Sequence, residues 1–214
     1  MPRPTSLHLP RRRLLTGAAA LAALAALPAH AALAPTPRQT AGPFYPPALP
    51  AEHDRDLVRV SGSAADALGQ VTYLEGRVLD VAGNPMPGAL VEIWQCDANG
   101  VYHHPADRRT GRDPRFQGYG RTLGDGDGRY GFRTIRPVAY PGRTPHIHVA
   151  VSGPGLARLT TQLYVAGEPA NGRDFLYGRL SAAERAALTV AFVPAQAGDP
   201  GALSATFDLV VARA

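Results

Sequence analysis

The chain contains a single cysteine, Cys96, so no intrachain disulfide can form and the fold must rest on its core. Cys96 follows Trp94-Gln95 at the end of an apolar alternation and reads as a small packing residue rather than a reactive thiol. Lysine is absent: all 22 basic residues are arginine, a compositional bias from which no function follows. There is no internal repeat, no heptad pattern, no Gly-rich nucleotide loop and no Gly-x-Ser-x-Gly elbow. Asp125-Gly126-Asp127-Gly128 lacks the further ligand positions and closing glutamate of an EF-hand and reads as a tight turn. The apolar run at 18–27 is too short and too alanine-rich for a membrane span.

That run has a different meaning. Arg11-Arg12-Arg13-Leu14-Leu15 precedes it and Pro28-Ala29-His30-Ala31 follows it. A basic segment, a short apolar segment and a small-residue cleavage site make residues 1–31 an export signal, and the arginine pair suggests the twin-arginine route. The expected location is periplasmic or extracellular, with no stable membrane span after cleavage. Losing this segment removes four arginines and no acid, so the formal charge falls from +5 to +1. The basic character thus belongs largely to the targeting peptide, and a nucleic-acid partner is not expected.

Residues 32–70 are rich in Pro, Ala and short polar residues and read as an extended arm lying over the domain. Residues 71–214 read as one domain. Strand-like segments are expected at 71–79, 89–95, 129–135, 144–152, 159–165 and 204–212, punctuated by Gly, Pro, Asn and Asp. A long polar loop is expected at 101–124. The one convincing helix is 181–190, with Ser181 as N-cap and Glu184 at capping-box spacing. The pattern predicts an all-β fold, an antiparallel β-sandwich with long loops and one short helix.

The chemistry concentrates at His146-Ile147-His148. On a strand, side chains two apart share a face, so both imidazoles aim at one spot, which suggests a metal. Zinc would want a third ligand, and at most one of the adjacent His103 and His104 could supply it. Tyr102 and Tyr140 lie in loops that can lean over the same strand. A phenol must lose its proton to bind a metal, and a hard trivalent ion promotes that better than zinc. Three readings stay open on these residues: a site for a hard trivalent ion, a hydrolytic zinc site using His104, and a non-catalytic exported sandwich that binds aromatics.

A set of motifs occurs in fixed order. It runs Gln39-Thr-x-Gly-Pro-Phe-Tyr-Pro46, Trp94-Gln95…Gly100-x-Tyr102, Asp127-Gly-x-Tyr-x-Phe-Arg-Thr-Ile135-x-Pro137, Tyr140-Pro…Pro145-His-Ile-His148 and Thr161-Gln162-Leu-Tyr-Val165. Together, over residues 39–165, these resemble the intradiol ring-cleavage dioxygenases, most closely the iron-binding subunit of the protocatechuate-cleaving branch. The resemblance implies a non-haem Fe(III) enzyme acting on a catechol-type substrate with O2 to give a cis,cis-muconate-type diacid. It implies Tyr102, Tyr140, His146 and His148 as metal ligands, with Tyr140 the phenolate that leaves the metal on substrate binding. It places Arg143 and Gln162 beside the reacting ring, Arg143 stabilising developing negative charge. The short link Pro141-Gly-Arg-Thr-Pro145 implies a more open pocket than that branch has. Both homo- and hetero-oligomers are compatible with the resemblance.

Overall fold

A computed structural model describes Met1 and residues 32–214 of the chain. The expected export signal, apart from Met1, lies outside the described residues. The compact unit that carries the fold is Ala31–Ala214, and among the described residues no helix is long and apolar enough to cross a membrane.

Two five-stranded sheets form the sandwich. The first is built around β1 (Val71–Asp80), which pairs antiparallel with β4 (Arg129–Ile135) and parallel with two short strands near the C-terminus. The second runs β3 (Tyr119–Leu123), β2 (Leu90–Trp94), β5 (His146–Ser152), β6 (Leu159–Val165) and β7 (Thr189–Val190). Alternation fixes which residues turn inward: Leu74 and Val78 of β1 are fully buried, and they share one apolar cluster with Phe132, Ile147, Val149, Val151 and Leu163.

The all-β sandwich is the expected one, but its sheets are mixed rather than antiparallel throughout. β6 and β7 run parallel, which requires a crossover, and the chain makes it with helices. A 3-10 turn at Pro169–Arg173 leads into α1 (Phe175–Gly178) and α2 (Ala182–Leu188). The Ser181 side chain accepts from Glu184 N at 3.3 Å while Glu184 accepts from Ser181 N at 2.8 Å, so the expected capping box is present. The helix stops at Leu188, earlier than 190, because β-branched Thr189 and Val190 join the sheet.

Two other expectations change. The polar stretch 101–124 is not loop throughout, since Tyr119–Leu123 forms β3 against β2; its glycine and arginine hide the strand alternation. The last strand is two, β9 (Leu203–Thr206) and β10 (Leu209–Val211), with β8 (Val193–Pro194) at the edge. They meet different halves of β1, and the chain steps between them over Gly76. A Cβ at Gly76 would lie 2.0 Å from the Phe207 carbonyl oxygen, so only glycine admits this crossing.

Residues 32–70 run along the sheets, with Leu33 N donating to Val81 O, Thr36 N to Val210 O and Gln39 N to Thr160 O. They also enter the core, where Leu57 and Val58 are fully buried. β5 is therefore covered on both faces. Ile147, Val149 and Val151 face the other sheet, whereas the face carrying Ala150 packs with Trp94, Tyr102 and Tyr119 under Ala41, Phe44 and Tyr45 of the arm. The candidate site lies on this second face.

Candidate metal centre

Strand register builds the floor of the site. His148 on β5 is paired with Trp94 of β2 on one side and Gln162 of β6 on the other, so these three form a row across one face. The Trp94 indole lies flat on the His148 ring, with centroids 4.9 Å apart and planes 4° from parallel. His146, two residues back on the same face, brings its Nε2 to 3.2 Å from the His148 Nε2. The loop after β2 delivers Tyr102, and the turn before β5 delivers Tyr140. Their rings meet edge-on at 5.4 Å. Tyr140 is 5.5 Å from the His146 ring and Tyr102 is 6.2 Å from the His148 ring. All four side chains singled out in the sequence thus converge.

The donor set fits a metal. His146 Nδ1 lies 2.7 Å from the Thr144 carbonyl. That oxygen can only accept, so Nδ1 carries the proton and Nε2 keeps a lone pair aimed at the second imidazole. Both rings are held neutral. Burial, and then the nearby Arg143, push His146 down to about 4. Burial, then His146 and Arg143, lower His148 as well. The Thr40 backbone slightly favours charge on His148, yet His148 Nδ1 lacks a partner in full hydrogen-bond geometry. The Tyr102 hydroxyl is likewise buried and, although it lies near the Tyr140 hydroxyl, has no partner in full hydrogen-bond geometry among the described residues, an arrangement that is costly unless a further group completes it. Burial raises the pKa of both tyrosines, and for Tyr140 the adjacent Arg143 opposes the rise. A ligand that ionises such phenols must be a strong Lewis acid.

Among the described residues, no three His, Cys, Asp or Glu side chains converge. His104 turns to its own loop, accepting from Ala106 N at 3.0 Å, and is not brought to the histidine pair. The donors present are two imidazoles and two phenols, not a zinc-hydrolase set. Cys96 is buried and its thiol pushed up to about 12 by burial and then by Asp97, in keeping with a packing role.

Arg143 and Gln162 also reach the site. The turn Tyr140-Pro-Gly-Arg143 closes with Arg143 N donating to Tyr140 O at 2.9 Å, so a ligand candidate and the arginine sit at its two ends. Arg143 Nη2 donates to Gln162 Oε1 at 2.6 Å, and Gln162 Nε2 donates to Thr40 O of the arm at 3.0 Å. A cleft of about 210 Å3 opens beside Arg143, lined also by Gly142, Thr144, Ala170, Arg173 and Asp174. The larger cleft of about 600 Å3, lined by Glu75, Arg77 and Tyr130 among others, lies over the first sheet and involves none of these residues.

Residues 40–212 match the protein family described as "Dioxygenase". The chain is 37% identical over 167 residues to the protocatechuate 3,4-dioxygenase beta chain of Burkholderia cepacia, covering 74% of this chain and 71% of that one. The chain belongs to the intradiol ring-cleavage dioxygenase family. It is also 34% identical to the hydroxyquinol 1,2-dioxygenase of Rhodococcus opacus, covering 64% of this chain and 49% of that one. It therefore spans about half the length of that relative. Among solved structures it superposes on the dioxygenase domain of a dioxygenase carbohydrate-binding protein fusion from Streptomyces sp. SirexAA-E. The TM-score there is 0.65 at 34% identity, over 85% of this chain and 100% of that one. This is a family of non-haem iron enzymes that act on small aromatic molecules with O2.

For a member of this family, several supporting residues escaped the sequence reading. Phe44 stacks on Tyr102 at 4.5 Å, though its arm motif was legible. Asp107 accepts from Tyr102 N at 2.8 Å and pairs with Arg109, whose guanidinium sits 5.3 Å over the Tyr140 ring. Asp174 accepts from Arg143 Nε at 2.8 Å. For the two aspartates the only available signal was a polar residue in a loop.

Proposed function

We propose that the chain is a ferric dioxygenase with Tyr102, Tyr140, His146 and His148 as iron ligands. It opens a catechol-type ring between its two hydroxyl carbons with O2, and yields a cis,cis-muconate-type diacid. The observation that carries the reading is the convergence of two neutral imidazoles, the buried Tyr102 phenol and the half-buried Tyr140 phenol on one point under the arm. When bound, Fe(III) supplies a Lewis acid that activates a coordinated catecholate toward O2.

The chain's own residues do the rest. The two phenols, once ionised, balance most of the charge of a trivalent ion. Tyr102 is 3% exposed and clamped by Phe44, so it stays in place. Tyr140 is half-buried at the end of a turn, so it can swing aside and take one of the protons that a catechol must lose. Arg143 is positioned to stabilise negative charge developing on the ring, a preorganised electrostatic role, and Gln162 holds its Nη2 in place. The arm and Phe44 keep water from the rings on that side.

The substrate is proposed as a catechol in the broad sense. The relatives' names span protocatechuate, catechol and hydroxyquinol; O2 uptake with each of these and with larger lignin-type catechols ranks them. The iron assignment is tested by visible absorption. Iron-loaded protein should show a phenolate-to-iron charge-transfer band that Tyr102→Phe and Tyr140→Phe each shift and weaken and that the double substitution abolishes. Colourless protein carrying stoichiometric zinc would overturn it. Export through residues 1–31 is a second proposal, resting on the sequence pattern. It predicts that protein recovered from the periplasmic fraction starts near residue 32.

A further inference from the structure

We propose that Asp174 is the positioning residue for Arg143, holding its guanidinium over the reacting ring; this rests on the reading of the site above. The Asp174 side chain is fully buried and uses both oxygens. Oδ1 accepts from Leu176 N and Tyr177 N, each at 2.9 Å, which caps α1. Oδ2 accepts from Arg143 Nε at 2.8 Å and from Thr144 N at 2.9 Å. Burial works against its charge, but these backbone donors and Arg143 outweigh it and keep the carboxyl below its ordinary range. A buried carboxylate with all its acceptor sites engaged is a rigid anchor.

The anchor acts on the arginine through geometry. A guanidinium is a planar fork. Asp174 fixes it at Nε and Gln162 at Nη2, so two points define its plane, while Nη1 makes no hydrogen bond among the described residues. The free donors are the ones available to charge developing on a ring. The Arg143 side chain is only 8% exposed, and a buried cation without its counter-charge would leave this position. The metal side does not depend on this carboxylate alone. Thr144, held by Asp174 through its N–H and by Asn171 through its hydroxyl at 2.7 Å, accepts from His146 with its carbonyl. Capping alone does not call for an aspartate here, because serine caps a helix equally well. Only a second oxygen reaches Arg143.

Asp174→Ser separates the two jobs, since it keeps a cap and removes the contact to Arg143. In iron-loaded protein, kcat should fall about 10–100-fold, a part of the 10²–10³-fold that loss of a directly acting donor costs. KM should change little and the charge-transfer band should persist. In an Arg143→Gln background the same substitution should have almost no further effect on kcat. Equal losses on both backgrounds, or loss of iron and colour in step with kcat, would show a structural role only and overturn the proposal, as would wild-type kcat in Asp174→Ser. Should Asp174→Ser not fold, Asp174→Asn carries the test, because it retains size and cap but loses the counter-charge. Wild-type protein that shows no band when loaded with iron overturns the reading of the site itself, and this role with it.

Discussion

Replacing Tyr102 by Phe is expected to stabilise the metal-free protein while weakening its hold on iron. The Tyr102 hydroxyl is buried without a partner in full hydrogen-bond geometry among the described residues. Such a group costs about 1–3 kcal/mol in desolvation. Phe keeps the ring stacked on Phe44, so the packing survives and only the oxygen is lost. Allowing for the small void it leaves, the net gain is about 1 kcal/mol. For a domain of this size that raises Tm by about 2–4 °C. Urea and thermal unfolding of the iron-free proteins read the difference. Adding iron should reverse the order, because a ligand at a hundred times its Kd stabilises the wild type by about 2.7 kcal/mol and the variant by far less. A metal-free Tyr102→Phe protein that is less stable than wild type by 1 kcal/mol or more would mean that the hydroxyl is partnered in the apo protein. Retention of the visible band with its position and strength unchanged would mean that it is no ligand.

Gly42 adopts φ +66°, and a Cβ there would lie 3.3 Å from His148 Cε1. Gly42→Ala should cost about 1–2 kcal/mol of stability from the left-handed backbone and shift the charge-transfer band as the imidazole is pressed aside; an unmoved band contradicts the contact. Ser181→Ala breaks the capping box and should cost about 0.5–2 kcal/mol with kcat unchanged, as measured by urea unfolding and O2 uptake. Asp199 is lowered to about 2, first by its hydrogen bond from Arg133 and then by that from Tyr73. Its folded value lies below its unfolded one, so its stabilisation is complete above about pH 4 and disappears as pH falls to about 2. Asp199→Asn should therefore lower the urea midpoint at pH 6 and lower it much less near pH 2, whereas an equal cost at both would exclude this linkage.

How much of the molecule was legible depends on the range of the interaction. The His146–His148 pair was readable because a strand has a period of two, and it holds in β5. The capping box at Ser181 and the turn at Asp125 are equally local. Tyr102 and Tyr140 were no more than available phenols until the ordered motifs gave them a place. β3 escaped because Tyr119-Gly-Arg-Thr-Leu123 has no apolar alternation and is a strand only by pairing with β2. The step between β9 and β10 depends on Gly76 meeting Phe207, residues remote in sequence. Asp174 reaches Arg143 across 31 positions, and nothing local distinguishes it from a helix-capping aspartate.

The most direct test of ring opening at this site is single-turnover reaction of the iron-loaded protein with catechol under 18O2, with mass analysis of the product. A cis,cis-muconate-type diacid carrying both labelled oxygen atoms, formed by the wild type and not by Tyr140→Phe or His148→Ala, is the predicted result. A semialdehyde from cleavage outside the two hydroxyls, or a product without label, would contradict it.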